Sequence, residues 1–324
     1  MKIVALIPAK NEEIMLDITL PQIKRFADAI LVADDGSTDN TIKIAEKHGA
    51  IVIQNQKLDN VWWREQHVRN NLLTKGREIG GTHFLCLDAD EYPTENLIQN
   101  KEKLLKTMKP GQRLFLRWVS LWKSTEQYRD DKSVFGNIYK DFLFYDDKKA
   151  NYTSVRDFYV GRTPGEGNLV KVDENDGCIL HLQFVPWKRY NIKQASYLCA
   201  ELVKYPGEHK RINCNYAPTR DFDAETKKVP ENWIKEPIPK DLANMEAGWY
   251  FDKIIGFFDK HGIQYFEPLE IWHVLELHQE FLKRTGREPK TINYHYITIL
   301  VRKIAITILN HSPDFIKKAI LKMK

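Results

Sequence analysis

The chain has 324 residues, 43% of them hydrophobic and 29% charged, with a formal net charge of +5. That balance describes a soluble globular protein with a substantial core, arranged as one large domain plus an extension or as two domains. Residues 302–324 carry six basic side chains against one acid, so the whole excess sits there and the body is neutral; this argues against a nucleic-acid-binding surface, which spreads its basic residues over a face. The four cysteines, Cys86, Cys178, Cys199 and Cys214, form no CxxC pair and no zinc-like spacing, which favours a reducing compartment without structural disulfides.

The opening "MKIVALIPAKNEE" has too short an apolar run for a signal peptide and reads as a first strand. "NEEIMLDITLPQIKRFA" has helical spacing, with Asn11 as N-cap and Pro21 expected to kink or restart the helix. "AILVA" is a second strand. "DDGSTDNTIKIAEKHG" is a tight turn and then a helix, capped by Ser37 or Thr38 and stopped at Gly49. "AIVIQN" is a third strand, residues 62–75 a third helix and "HFLCL" a fourth strand. Strand–helix–strand repetition of this length predicts an α/β fold, a doubly wound, mostly parallel sheet with helices on both faces. Beyond Glu91 the pattern loosens. "RLFLRWVSLW" and "GCILHLQFV" read as strands, "VFGNIYKDFLFYDD" as strand or irregular structure, and "RTPGEGN" as a loop. "YNIKQASYLCAELVKY" is a helix, residues 206–239 an extended connector, and "FDKIIGFFDKHG" and "IWHVLELHQEFLKRTG" are helices again.

In a doubly wound sheet, ligands bind beyond the carboxyl ends of the strands. Three polar clusters fall there: residues 8–13, residues 34–37, and Asp88, Asp90 and Glu91 at the end of "THFLCLDADEYP". Asp88 and Asp90 are two apart, so in an extended segment both carboxylates point the same way. Such a pair suits Mn²⁺ or Mg²⁺ bridged to diphosphate oxygens, because hard cations take oxygen ligands. Without a cation, facing acids would repel and raise one another's pKa. The competing explanation is an acidic turn after a buried strand, and for Asp34 and Asp35 a turn followed by a helix cap.

"IPAKNEE", "ILVADDGSTDNT" and "FLCLDADE", in that order over about the first 95 residues, resemble the family 2 nucleotide-sugar glycosyltransferases, which have the GT-A fold. "VRNNLLTKGREIGGTHFLCLDADE" is similar to the members that extend bacterial lipopolysaccharide or lipooligosaccharide glycans. The resemblance implies a metal-dependent, inverting transfer of a sugar from a UDP- or GDP-sugar donor to a glycan or lipid-linked acceptor. It implies that Pro8, Ala9, Asn11 and Glu13 line the nucleoside pocket and that Asp34 or Asp35 accepts a hydrogen bond from the base or ribose. Asp88, Ala89 and Asp90 would be the DxD motif, Asp90 the metal ligand and Asp88 nearer the ribose or a metal-bound water. Arg64 or Arg69 would reach the base or diphosphate, where a guanidinium donates two hydrogen bonds at once. His181 would be a further metal ligand, with Trp187 to Tyr190 closing over phosphates or a sugar ring. The family's acidic base motif is not cleanly present; Glu166 is the first choice and Asp157 the second, with Asp173, Glu174 and Asp176 also open.

The implied organisation is a catalytic domain over residues 1–190 and a mainly helical extension over residues 191–324 that helps bind acceptor. In the extension, "SPDFIKKAILKMK" reads as a basic amphipathic helix, with Ser312 as cap and Pro313 at its first position. Residues 294–324 are thus expected either to touch a membrane surface at the inner face of the plasma membrane of a cytoplasmic protein, or to pack on a partner or on the body. Two alternatives stay open: a catalytically silent nucleotide-sugar-binding scaffold, and a sugar-phosphate nucleotidyltransferase. The second class needs a glycine-rich basic loop after the first strand, where this chain has "IPAKNEE".

Overall fold

The computed structural model describes residues 1–55, 64–131, 136–153, 161–165, 168–217 and 224–290, the side chain of residue 64 excepted. They fall into two compact units, Met1–Trp187 with Glu225–Asn244, and Lys188–Ala224 with Met245–Lys324.

The first unit is built on strands β1 (Ile3–Ala9), β2 (Ala29–Asp34), β3 (Ile51–Gln54) and β4 (His83–Cys86), linked by helices α1 (Glu13–Phe26), α2 (Thr41–Lys47) and α3 (Arg64–Glu78). The four strands are parallel and lie in the order β3-β2-β1-β4. β1 is apolar on both faces, β4 is so apart from His83, and both strands are buried on both faces, as a parallel strand roofed by helices must be. Along one face, Val4, Leu6, Leu31, Ala33, Phe84 and Cys86 pack with Val68, Leu72 and Leu73 of α3. Each such large side chain removed from water contributes about 1.5–3 kcal/mol.

Past β4 the direction changes. After β5 (Glu91–Pro93) and helix α4 (Glu95–Lys106) come β6 (Arg113–Ser120), β7 (Gln127–Arg129), β8 (Ile138–Tyr145), β9 (Leu169–Lys171) and β10 (Cys178–His181). β8 runs antiparallel to both β4 and β6, β10 parallel to β6, and β5 antiparallel to β10 at the edge. The result is one nine-stranded, mostly parallel sheet.

The second unit is helical. Helices α5 (Trp187–Lys204), α6 (His209–Tyr216), α7 (Gly248–His261) and α8 (Leu275–Thr285) enclose a core that includes Leu198, Leu202, Ile254, Phe258, Phe266 and Phe281. No helix among the described residues is long and apolar enough to cross a membrane. Residues 294–324, with the amphipathic segment, lie outside the described residues.

Three local expectations are revised. Pro21 lies inside the single helix α1 and does not restart it. The bond it deletes belongs to the carbonyl of Asp17, an exposed residue. Asn11, Ser37 and Thr38 do not cap the helices that follow them; their side-chain hydrogen bonds run between the two loops, and at α2 it is Asp39 Oδ1 that accepts from Thr41 N at 2.9 Å. Residues 206–239 are not all extended, because α6 forms there. Ile212 enters the helical core, and Asn213 is anchored through Nδ2 to the Pro268 carbonyl at 2.9 Å while its Oδ1 accepts from Glu270 N at 2.9 Å.

Candidate active site

The loops after β1 and β2 are tied together at the carboxyl edge of the sheet. Asn11 adopts φ +54°, a conformation asparagine tolerates better than most residues. Its N–H donates to Ser37 Oγ at 2.9 Å and its Oδ1 accepts from Thr38 N at 2.7 Å. Glu12 N donates to Thr41 Oγ1 at 2.8 Å, and Glu13 Oε2 accepts from the backbone and side-chain nitrogens of Asn40, both at 2.9 Å. Asp34, 4% exposed, turns its carboxylate onto the N–H groups of Gly36 (3.0 Å) and Ser37 (3.1 Å). Gly36 has φ +78°, where a side chain would be strained. Asp34 therefore holds the turn, while Asp35, whose N–H donates to the Ala9 carbonyl at 2.9 Å, keeps a half-buried side chain at the rim.

The DADE segment sits beside this pair of loops, since β4 is the next strand to β1 and Leu87 N donates to the Leu6 carbonyl at 3.2 Å. The segment is not extended. Asp88 follows the strand and the chain turns at Ala89 and Asp90, closed by Glu91 N donating to the Asp88 carbonyl at 3.1 Å; Thr19 Oγ1 of α1 donates to the Ala89 carbonyl at 2.9 Å. The turn gives the two aspartates different surroundings, in place of the common direction that an extended chain would impose. Asp88 has a 38% exposed side chain held by two arginines, Arg69 Nη2 at 3.1 Å and Arg162 Nη2 at 2.9 Å. Burial pushes its carboxyl up, but Arg162 and Arg69 outweigh that and bring it to about 2. Asp90 is only 4% exposed.

Glu91 lies fully inside and takes a bidentate clasp from Arg162, with both contacts at 2.6 Å. Burial raises its pKa, and the Arg162 guanidinium opposes that rise. Arg162 is 8% exposed, its guanidinium 4.7 Å from the Phe142 ring centroid and its carbonyl accepting from Tyr152 OH at 2.7 Å. In the sequence this residue stands in the loop segment "RTPGEGN". No periodicity marks it, and only a lone arginine opening "RTPGEGN" offers a signal.

His181 ends β10 as the register partner of Glu91. Its Nε2 lies 3.6 Å from Asp90 Oδ1, too long for a hydrogen bond. Two donors each about 2.1–2.2 Å from a shared cation stand roughly 3–3.6 Å apart, so the pair suits a divalent ion. His181 Nδ1, Trp118 Nε1 and Ser120 Oγ are buried without hydrogen-bond partners among the described residues. Trp118 stacks on His181 at 4.3 Å, and Ser120 is the register partner of His181 on β6. Lys140 Nζ lies 3.8 Å from the Trp118 ring centroid; burial, with Arg162 nearby, pulls its pKa down to about 8. Among the described residues no group of three or more His, Cys, Asp or Glu side chains could hold an ion. Asp90 and His181 are therefore two groups only, and an Mg²⁺ or Mn²⁺ ion on them would need the rest of its ligands from elsewhere.

The structure brings Asn11, Glu13, Asp34 and Asp35 into one paired-loop rim next to Asp88, Asp90, Arg69 and His181. Pro8 and Ala9 end β1 beneath that rim. Arg69, 6% exposed, is committed to Asp88 and, at 3.0 Å, to Glu65. Glu166, Asp157 and the side chain of Arg64 lie outside the described residues. Of the other acids open as base, Asp173 Oδ1 accepts from Asn175 N at 2.9 Å, Glu174 pairs with Arg117, and Asp176 pairs with Lys103 at 3.0 Å.

Residues 4–143, which contain both rim loops and the DADE turn, match the family described as glycosyl transferase family 2. Among solved structures, the chain is similar to glucosyl-3-phosphoglycerate synthase from Mycobacterium tuberculosis in complex with phosphoglyceric acid, at 21% identity and a TM-score of 0.27, over 37% of this chain and 44% of that one. It is similar to the same synthase in complex with Mn²⁺ and uridine-diphosphate-glucose, at 21% identity and a TM-score of 0.28, over 37% of this chain and 43% of that one. The chain thus spans less than half the length of the structures it matches. No curated protein matches it.

Proposed function

We propose that this chain is a metal-dependent glycosyltransferase that moves a sugar from a UDP- or GDP-sugar to a hydroxyl of a glycan or lipid-linked acceptor, with inversion, in bacterial surface-polysaccharide or lipooligosaccharide assembly. The observation that carries the reading is the 3.6 Å separation of Asp90 and His181, beside two loops locked together at the carboxyl ends of adjacent parallel strands. The family match over residues 4–143 supports the same chemistry.

In this reading the rim formed by Asn11, Glu13 and Asp35 receives the nucleoside, and Asp34 keeps the rim rigid. Asp90 and His181 would hold Mn²⁺ or Mg²⁺, which when bound would supply Lewis-acid stabilisation to the departing diphosphate. Arg69 and Arg162 fix Asp88 as an ionised acceptor for a ribose hydroxyl or a metal-bound water. Lys140 adds positive charge near the same face. Glu166, with Asp157 second, takes the proton from the acceptor hydroxyl as it attacks the anomeric carbon.

The test is a thermal-shift and calorimetric screen of UDP- and GDP-sugars with and without Mn²⁺, followed by acceptor-free hydrolysis. One donor class should bind in a metal-dependent way and hydrolyse slowly. Glu166→Gln should keep that binding and lose turnover. Binding without metal dependence would remove the cation from this site, and intact binding with no turnover on any donor or acceptor would leave a nucleotide-sugar-binding scaffold.

A further inference from the structure

We propose that Lys140 is the residue through which this site takes hold of a phosphoryl group of its substrate. The inference rests on the reading above and deepens it, adding a charge borne by the protein itself to the pair proposed to hold the metal. The position follows from the strands. Lys140 of β8 is the register partner of Leu116 on β6, and Trp118, two residues further on, shares that face. Trp118 stacks on His181 at 4.3 Å between ring centroids. Lys140 Nζ lies 3.8 Å from the Trp118 centroid and the Arg162 guanidinium 5.1 Å from it. One indole thus places Lys140 and Arg162 next to the Asp90–His181 pair.

The two cations on that ring are served differently. Arg162 has both carboxylate oxygens of Glu91 and one of Asp88. Lys140 has no hydrogen bond and no ion pair among the described residues. The carboxylates near enough to act on it are engaged elsewhere: Glu91 with Arg162, Asp88 with Arg162 and Arg69, and Asp141 with the Thr163 hydroxyl. Burial disfavours its charge and Arg162 repels it, which together bring its pKa down to about 8. The side chain is half-buried, yet Nζ keeps access to solvent, unlike Trp118 Nε1 and Ser120 Oγ on the same face. A ligand atom can therefore reach it.

These properties select an anion. A partly desolvated ammonium without a counter-charge gains more from an anionic oxygen than from a hydroxyl or carbonyl, because a charge-assisted hydrogen bond is roughly twice as strong as a neutral one. A cationic ligand would be repelled by both Lys140 and Arg162, and a neutral one would leave the ammonium uncompensated. Among anions a phosphoryl group is favoured, because the reading above places a diphosphate on this face, beside Asp90 and His181. Two sources offer that chemistry: the diphosphate of the donor and a phosphate carried by the acceptor. The compact ammonium suits either as a point charge.

The experiment follows Lys140 itself on the full chain, through the Cε signals of isotope-labelled lysine in NMR, with the Lys140 signal assigned by its loss in Lys140→Arg. UDP-glucose and GDP-mannose supply donor-type diphosphates; methyl phosphate and glucose 6-phosphate supply acceptor-type phosphates. Uridine, guanosine and acetate serve as controls without a phosphoryl group. At least one phosphate probe should shift the Lys140 signal in a saturable way, and the controls should not. In calorimetry that probe should bind about tenfold more weakly to Lys140→Met, and within about threefold of wild type to Lys140→Arg, which keeps the charge. Methionine keeps an apolar stem over Trp118, so a lysine that only packs there would tolerate the change. Wild-type affinity should fall about fivefold between about pH 7 and about pH 9, because the ligand binds the charged ammonium, which sheds its proton above about 8 in the free protein. Arg162, Glu91, Asp88 and Asp141 surround Lys140, and His181 lies against the same Trp118 ring. All of them remain in Lys140→Met, so a flat profile in that variant assigns the fall to Lys140.

The class of probe that shifts the signal at the lower concentration names the source, nucleotide sugar for the donor and simple phosphate for the acceptor. If no nucleotide sugar binds wild type at all, the donor reading fails, while the simple phosphates still decide the role of Lys140. The proposal is overturned if no phosphate probe moves the Lys140 signal, if acetate moves it as strongly, or if Lys140→Met binds every probe as wild type does. The low pKa of Lys140 singles out its signal in a pH titration, so wild-type protein alone gives a result even where a variant fails to fold.

Discussion

The two halves of the candidate site are held by different physics. On the β1–β2 side, short polar side chains bond to backbone N–H groups at most a few tens of residues away, as Asn11 does to Thr38 and Asp34 to Gly36. On the β4 side, a buried carboxylate is held by a guanidinium from far along the chain, Glu91 by Arg162. The first arrangement sets side-chain oxygens, several of them carboxylates, against neutral N–H donors at a partly exposed rim, and it is tolerant. The second places charge where water cannot reach, so each member depends on its partner.

That contrast orders the expected effects. The largest falls on Arg162. Arg162→Met should strand Glu91 as a buried, unpaired carboxylate and cost about 3–5 kcal/mol in denaturant melts. Adding Glu91→Gln should recover more than half of the loss, because the double variant buries no uncompensated charge. If the single variant is as stable as wild type, the β4 side is not organised by this pair.

Next is the Asp90–His181 pair, proposed to hold the metal, where the effect should appear in binding and not in folding. Asp90→Asn should weaken Mn²⁺-dependent nucleotide-sugar binding by about a hundredfold, or about 2.7 kcal/mol, in calorimetry, and leave metal-free binding unchanged. His181→Ala should follow in the same direction. An equal loss with and without metal would assign these residues to fold integrity.

On the β1–β2 side, Asp34→Ala removes the acceptor of two backbone N–H groups and should cost about 1–2 kcal/mol of stability. The same change should loosen donor binding through the rim without altering its metal dependence. A purely metal-linked loss would instead move Asp34 into the cation site.

The same division separates what the sequence reveals from what it hides. The strand–helix alternation and the three polar clusters at the strand ends are local patterns, legible from apolar periodicity and from the short residues that follow each strand. His181 stands out as a polar residue in the apolar run "GCILHLQF". Arg162 was not legible, because its meaning comes from Glu91, 71 positions earlier, and nothing local encodes that meeting. The DADE turn misled in a different way. Spacing by two implies a common direction only while the chain stays extended, and here the Glu91 N–H closes a turn on the Asp88 carbonyl. The antiparallel β8 between β4 and β6 was likewise beyond reach, since strand order is a matter of long-range pairing.

The smallest effect is also the one that probes the link between the halves of the charged side, the acid limb of stability. Asp88 has its pKa drawn from the model-compound value of 3.8 down to about 2 by Arg162 and Arg69, against the opposing push of burial. A depressed carboxyl favours the folded state wherever it is ionised. The contribution is complete above the unfolded value near 3.8 and is lost as pH falls toward about 2. Because the side chain is 38% exposed, solvent screening reduces the contribution to below about 1 kcal/mol. Acid titrations followed by circular dichroism should therefore show wild type losing stability between those two values, with a shallower fall in Asp88→Asn. Glu91, whose pKa is raised, takes up its proton at higher pH than Asp88 and so frees part of Arg162 first. Because a raised folded-state pKa makes protonation favour the folded state, Glu91 adds stability as pH falls through its own range and partly offsets the loss that Asp88 brings. A limb of equal width in Asp88→Asn and wild type would mean that Arg162 binds Glu91 alone and that Asp88 is free to face the nucleotide.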